Sequence, residues 1–256
     1  MTGDPQAVDP RMATLGDDLV LLSVWQGGGK LPAPAATAAG LMGSELVRLA
    51  AAGRIDIASG RINVLDATPT EDAQADTALA SLAALPRPPR AATWCSRPRR
   101  GICDAYLAGL AAAGTIRKQE QTRLGFIRVR RWEITDPARV QDARARLDAI
   151  AAGTGKVDLA QAAFGGLAHA IGVPGRLYPG RDGRDRRKRL ELVADGQFTD
   201  SASEPGAHHA TAHSVHAASH AAVSAAVHSA THAAVSAAHS AHSAAGGHGG
   251  GGGGHH

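Results

Sequence analysis

The chain has 256 residues, with 27 Lys and Arg against 23 Asp and Glu, and no stretch nears the eighteen uncharged apolar residues that a membrane-spanning helix needs. Its first 200 or so residues hold enough apolar side chains for one sizeable core, and its two cysteines, Cys95 and Cys103, fit neither a disulfide framework nor a zinc-ligand set. Membrane-spanning, disulfide-stapled and zinc-module classes are thereby excluded, and a reducing compartment is expected.

Residues 1–14 are expected to be disordered, and the acids and prolines of Met1 to Arg11 are unlike a signal peptide, so a cytoplasmic location is expected. The first core element is predicted over Leu15–Trp25: Asp17 and Asp18 suit the positive end of a helix dipole, and Leu19-Val-Leu-Leu22 enters the core. Gly27-Gly28-Gly29 reads as a flexible turn. It lacks the following Lys-Ser/Thr and the strand–helix setting of a phosphate-binding loop.

A repeat comes next. Leu46-Val-Arg-Leu-Ala-Ala-Ala-Gly53-Arg-Ile55 returns as Leu107-Ala-Gly-Leu-Ala-Ala-Ala-Gly114-Thr-Ile116. Leucines three apart share a helical face, alanines favour helix, and each glycine supplies a left-handed terminator. After Gly53, Ile55, Ile57, Ile62 and Val64 alternate with polar residues around Ser59-Gly60, which predicts a tight hairpin. After Gly114 the hairpin is looser, with Ile116 in its first strand, a loop over roughly Arg117 to Leu124, and Phe126, Ile127, Val129, Trp132 and Ile134 in its second.

Between the copies, Asp66-Ala-Thr-Pro-Thr-Glu-Asp reads as a turn into a helix capped by Thr70 and running to about Ala84, stopped by Pro86, Pro88 and Pro89. Thr93 or Ser96 opens the following segment, and the second repeat helix occupies about Gly101–Ala113. Further helices are predicted over about Ala138–Ala151, started by Asp136-Pro137, over Leu159–Ile171, and over the basic stretch Arg184–Val193. The fold class expected is mainly α with two small β-hairpins, one compact domain over 15–198.

All 27 bases lie at or before Arg189, against 19 acids, a surplus of eight. They cluster as Arg87, Arg90, Arg97, Arg99 and Arg100, as Arg128, Arg130 and Arg131, and as six bases within Arg181–Arg189. Arginine's planar fork matches phosphate oxygens, so an anionic partner is expected, a lipid surface or nucleic acid, met by guanidinium groups gathered on one side. A solvated basic face is the bland alternative for any single arginine.

From about Ser201 to residue 256 the composition turns to Ala, Ser, His and Gly, and twelve of the thirteen histidines lie there. Disorder is expected, since such a segment buries too little apolar surface to offset its ordering entropy, although its alanines favour a transient helix. On such a helix His209, His213, His216 and His220 would share a face at metal-chelating spacing, but plain disorder is the favoured reading and no metal site is assigned.

Leu15 to about Phe198 resembles the Golgi phosphoprotein 3 family, in particular its actinobacterial members. The likeness rests on Asp17-Asp18-Leu-Val-Leu-Leu, Gly40-Leu41, Ala51-Ala-Gly53-Arg54-Ile55, Asp66-Ala-Thr-Pro-Thr, Trp94-Cys-Ser-Arg97, Leu110-Ala-Ala-Ala-Gly114, Asp136-Pro137 and Leu167-Ala-His169-Ala, in that order. The resemblance implies a helical domain that binds a phosphatidylinositol 4-phosphate headgroup in a basic pocket on a membrane-facing surface. It also implies an adaptor that engages basic cytoplasmic tails of membrane proteins, inserts the apolar tip of the second hairpin into the bilayer, and oligomerises through that hairpin. The family's pocket tryptophan and first arginine align with Ala33 and Met42, and its two later arginines with Arg100 and Cys103. Headgroup binding is therefore expected from Arg97, Arg99 and Arg100, and insertion from Leu124, Phe126 and Ile127, whose commoner role would be hairpin core. Trp94 and His169 are expected in the core.

The alternative is nucleic-acid binding, because a helix followed by a hairpin, twice, is how tandem winged helices look. Against it, Leu46–Ala52 and Leu107–Ala113 carry one arginine between them. No nucleophile elbow, paired carboxylates or cofactor motif is visible, so no enzyme, no catalytic residue and no cofactor is expected.

Overall fold

The computed structural model describes residues 9–123, 127–153, 157–195, 229–232 and 234–236. The chain is ordered earlier than its composition suggests. A helical turn, α1 (Pro10–Ala13), falls inside the stretch expected to be disordered; Asp9 caps it by accepting the Arg11 amide, and Met12 is buried. Arg11 then reaches Asp158 at 2.8 Å, a contact 147 residues long that no local signal announces.

Helix α2 (Leu15–Gln26) is apolar on every side: Leu19, Val20, Leu21, Leu22 and Val24 are at most 1% exposed. Such a helix belongs at the centre of a core. Its one buried acid, Asp18, accepts from the Thr14 hydroxyl at 2.7 Å and from Arg146 at 2.6 Å, with Arg139 at 3.5 Å. Helix α3 (Pro34–Ala51) starts well before the repeated leucines and is buried from Ala36 to Ala50. Gly53, at φ +66°, lies just past its end.

Strands β1 (Ile55–Ala58) and β2 (Arg61–Val64) pair antiparallel with Ile55 opposite Val64 and Ile57 opposite Ile62, and Ser59 and Gly60 both take positive φ. This is the two-residue turn whose twist suits a hairpin. Helix α4 (Ala73–Ala83) begins later than expected. Its cap is Asp72, which accepts the Gln74 and Ala75 amides at 3.0 and 2.9 Å, whereas Thr70 donates both its amide and its hydroxyl to Asp76.

Helix α5 (Ala91–Ser96) and the second repeat helix α6 (Ile102–Ala112) follow, with Gly114 at φ +73°. Strand β3 (Ile116–Arg123) pairs along its whole length with β4 (Ile127–Ile134), so most of the loop expected over Arg117–Leu124 is strand. The segment Lys118-Gln-Glu-Gln-Thr lacks alternation, and of its described side chains Lys118 and Glu120 are exposed and Gln119 half-buried, so no buried face there calls for apolar residues. Its base is stitched down where the Trp132 amide donates to the Gly29 carbonyl at 2.7 Å; a Cβ on Gly29 would sit 2.7 Å from the Trp132 carbonyl oxygen.

Helix α7 (Pro137–Ala152) is capped by Asp136, and α8 (Leu159–Ala170) by a reciprocal pair in which Asp158 and Gln161 each bond the other's amide. A short α9 (Val173–Leu177) and the basic α10 (Arg184–Ala194) complete the main body. Helices α2, α3 and α8 pack on one another as the centre. Around them, α4, α5 and α6 lie against α3, α7 against α2 and α8, and α10 against α7, α8 and α9.

One piece of the low-complexity tail joins this core. Residues 229–232 and 234–236 are helical, with Ala230, Thr231 and Ala234 at most 1% exposed. The Thr231 hydroxyl donates to the Ala194 carbonyl at 3.2 Å. A Cβ on Gly166 would lie 2.5 Å from Thr231 Cγ2, so the missing side chain is what admits the segment. Alanine and threonine suffice where the core supplies a groove of their own scale.

Candidate functional site

Arg97, Arg99 and Arg100 all lie on the connection between α5 and α6, but their side chains do different things. Arg97 and Arg100 are exposed. Arg99 turns inward and lays its guanidinium against α3 and the start of α4: Nη1 donates to Glu45 Oε2 at 2.5 Å, and Nη2 to Gln74 Oε1 at 2.8 Å. Its Nη1 is also 3.9 Å from Met42 Sδ.

The four positions aligned with the family pocket lie along α3, on the α5–α6 connection and at the start of α6. Ala33 begins α3 in a left-handed conformation, Met42 lies two turns along, and Cys103 from α6 approaches the Pro34 carbonyl at 3.7 Å. Where the resemblance expects an arginine at position 42, Arg99 brings a guanidinium from the next connection. Periodicity could not reveal that substitution, because it depends on which way one loop side chain turns.

Beneath Arg99 lies a buried charged layer. Glu45 is fully buried, and its second oxygen, Oε1, has no hydrogen-bond partner among the described residues. Burial pushes its carboxyl above the usual range, although the Arg99 hydrogen bond and charge oppose the shift. One turn on, Arg48 is 7% exposed; it donates to the Asp72 carboxylate and to the Tyr106 hydroxyl, the latter at 2.5 Å. Tyr106 is itself buried and held protonated by that burial, and the buried Cys95 thiol is pushed up to about 12 for the same reason.

Outside this layer, backbone pairing extends the basic surface beyond the residues that sequence singled out. Arg61 forms an isolated antiparallel bridge with Arg90, the Ile62 amide donates to the Pro89 carbonyl at 2.9 Å, and the Ala91 amide to the Gly60 carbonyl at 2.9 Å. The first hairpin's turn therefore sits beside the α4–α5 connection. Arg90 and Arg97 flank the six-residue α5, Arg87 and Arg100 lie on the connections either side of it, and Arg61, opposite Arg90, donates Nη1 to the Pro88 carbonyl at 2.9 Å. All five are exposed, and among the described residues none forms an ion pair.

The basic residues do not all share that side. Those of α10 sit on the layer packed against α7, α8 and α9, and several are already engaged: Arg187 bonds the Tyr178 and Gly180 carbonyls, and Arg186 stacks over Tyr178, 5.4 Å from its ring centre. Arg131, at the second hairpin, donates to the Gly28 carbonyl at 3.4 Å. Of the insertion candidates, Leu124 and Phe126 lie outside the described residues, and Ile127 is described only as the first residue of β4, opposite Arg123.

Trp94 is half-buried and packed against the core, as expected, while His169 is half-buried in the last turn of α8. Among the described residues no helix is long and apolar enough to cross a membrane. Helix α3, which would be the first recognition helix of a winged-helix pair, is buried along nearly its whole length and offers no face to a groove.

The family model described as Golgi phosphoprotein 3 matches residues 15–233 of the chain. The match passes the composition change at Ser201 and takes in the docked Ala230–His232 segment. No curated protein matches the sequence.

Proposed function

This chain belongs to the Golgi phosphoprotein 3 family, and on that premise we propose that it is a peripheral membrane protein that binds anionic lipid, with a phosphoinositide headgroup as the fitting ligand, and serves as an adaptor on the cytoplasmic face. The observation that carries this reading is that Arg61, Arg87, Arg90, Arg97 and Arg100, on and around α5 and the hairpin turn paired with it, are exposed and form no ion pair among the described residues. Guanidinium groups not already committed to carboxylates attract phosphate at about 1 kcal/mol each near a charged bilayer. Arg97 and Arg100, beside the pocket positions Met42 and Cys103, are the headgroup ligands in this reading, and Arg99 is the inward-facing third. Clients with basic cytoplasmic tails and self-association through the second hairpin belong to the same proposal by family likeness.

Vesicle co-sedimentation tests it. The full chain is expected to sediment with vesicles containing phosphatidylinositol 4-phosphate or phosphatidylserine and not with neutral phosphatidylcholine. Changing Arg97 and Arg100 together to Ala is expected to weaken that binding by about 2 kcal/mol. Equal recovery with neutral and anionic vesicles overturns the proposal, and a salt-sensitive shift of duplex DNA in its place would favour nucleic acid.

A further inference from the structure

We propose that Glu45 is the residue that sets the strength of this anion site: its carboxylate cancels the Arg99 charge, and protonation of Glu45 releases that charge to an incoming phosphate. The inference rests on the anionic-lipid reading above and adds a determinant on which the family likeness is silent.

The geometry argues for it directly. Among the described residues, Arg99 is the one of the three arginines on the α5–α6 connection that has a carboxylate, and that carboxylate is fully buried, with Oε2 at 2.5 Å from Nη1 and no described partner for Oε1. Arg99 itself keeps 23% of its side chain exposed, so it spans from the buried layer to the surface that Arg97 and Arg100 occupy. A buried carboxylate with one partner is poorly compensated for the water it has lost, and taking up a proton relieves it. Burial correspondingly raises its protonation range.

The groups facing Glu45 leave it as the one poised to change. Arg48, from the same helix, is committed to Asp72 and Tyr106; Asp72, from the start of α4, accepts from Arg48 and from two backbone amides. Gln74 is neutral and holds the other end of Arg99. Tyr106 from α6 and Cys95 from α5 stay protonated through neutrality because burial raises both. Asp17 of α2 acts on Arg48 rather than on Glu45. A proton on Glu45 therefore changes the local charge by one unit without a second group in the layer to take it back.

The test compares wild type, Glu45→Gln, Arg99→Ala and the Arg97→Ala/Arg100→Ala variant, all as full chains, on phosphatidylinositol 4-phosphate vesicles at pH 7.5 and pH 5. Glu45→Gln is expected to bind about fivefold tighter than wild type at pH 7.5, the effect of one released charge, and the difference is expected to narrow at pH 5. The tail histidines are present in both, so their own titration cancels in the ratio. Arg99→Ala removes the charge that a proton on Glu45 would release, so its gain in binding from pH 7.5 to pH 5 is expected to be smaller than that of the wild type. That second comparison decides the matter if Glu45→Gln fails to fold.

Equal or weaker binding by Glu45→Gln at pH 7.5, or a ratio that does not change with pH, overturns the inference alone while wild-type binding still depends on Arg97 and Arg100. Absence of anionic preference in every variant overturns the lipid reading, and this inference with it.

Discussion

Arg61 and Arg90 face each other across an isolated antiparallel bridge, two like charges held side by side by backbone pairing. Like charges directly opposite are destabilising, so the fold holds this pair together at some cost to its stability. Changing Arg90 to Gln is expected to raise stability by about 0.5 kcal/mol at low salt. The gain should vanish at 1 M salt, where repulsion is screened, and binding to anionic vesicles should weaken. Denaturant midpoints at the two salt concentrations measure the first effect, and sedimentation the second.

The tail segment is fastened by small, specific contacts. Deleting the chain after Asp195 exposes the groove that Ala230, Thr231 and Ala234 fill, and the three buried methyl groups amount to about 2–3 kcal/mol. A lowered urea midpoint is expected. Ala234→Asp, which places a charge where no partner awaits it, should reproduce most of that loss. An unchanged midpoint in both variants would mean that the docked segment adds nothing to the fold.

Glu45 also predicts a pH dependence of stability. Burial raises its folded-state range above the ordinary carboxylate value of 4.5, so between 4.5 and that raised value the folded protein binds more protons than the unfolded one. Stability contributed by this group therefore grows as pH falls from neutrality through the folded range and shrinks as pH rises. Relative to Glu45→Gln, the wild type should gain ground in urea unfolding at pH 5 over pH 7.5. The opposite slope would mean that the ion pair with Arg99 outweighs burial.

The repeat offers an internal control. Gly53 and Gly114 occupy equivalent positions at φ +66° and +73°, and a Cβ at either would meet nothing within 4 Å. Replacing either with Ala should therefore cost only the left-handed strain, about 1 kcal/mol, and the two losses should add because the sites are independent. Thermal melts of the two single variants and the double variant measure this.

Features written in short-range chemistry were legible before the structure. The glycine-closed repeat, the Ser59-Gly60 turn, the Asp136 cap and the apolar α2 each depend on residues a few positions apart, and each stands where its pattern placed it. Errors arose where local signals competed or were absent. Thr70 resembled a cap, yet it turns to Asp76 because Asp72 holds the amides of α4. Most of β3 looked like a loop because its polar run Lys118-Gln-Glu-Gln-Thr carries no alternation, although the hairpin and its second strand were legible.

The site divides the same way. That arginines crowd between Arg87 and Arg100 is plain from the order of residues, as is the family likeness. Which guanidinium stays free is a matter of three dimensions: Arg99 meets Glu45 across 54 positions, and Arg61 reaches Arg90 only because one hairpin turns beside another connection. A list of charges is blind to such meetings, because electrostatic energy depends on distance and burial, and chain order specifies neither once the separation exceeds a turn or two of helix. The sequence alone determined the elements, their terminators and the excess of positive charge; the packing of α3, α8 and α10 decided which charges are spent inside, which face outward, and that two alanines and a threonine of the tail belong to the core.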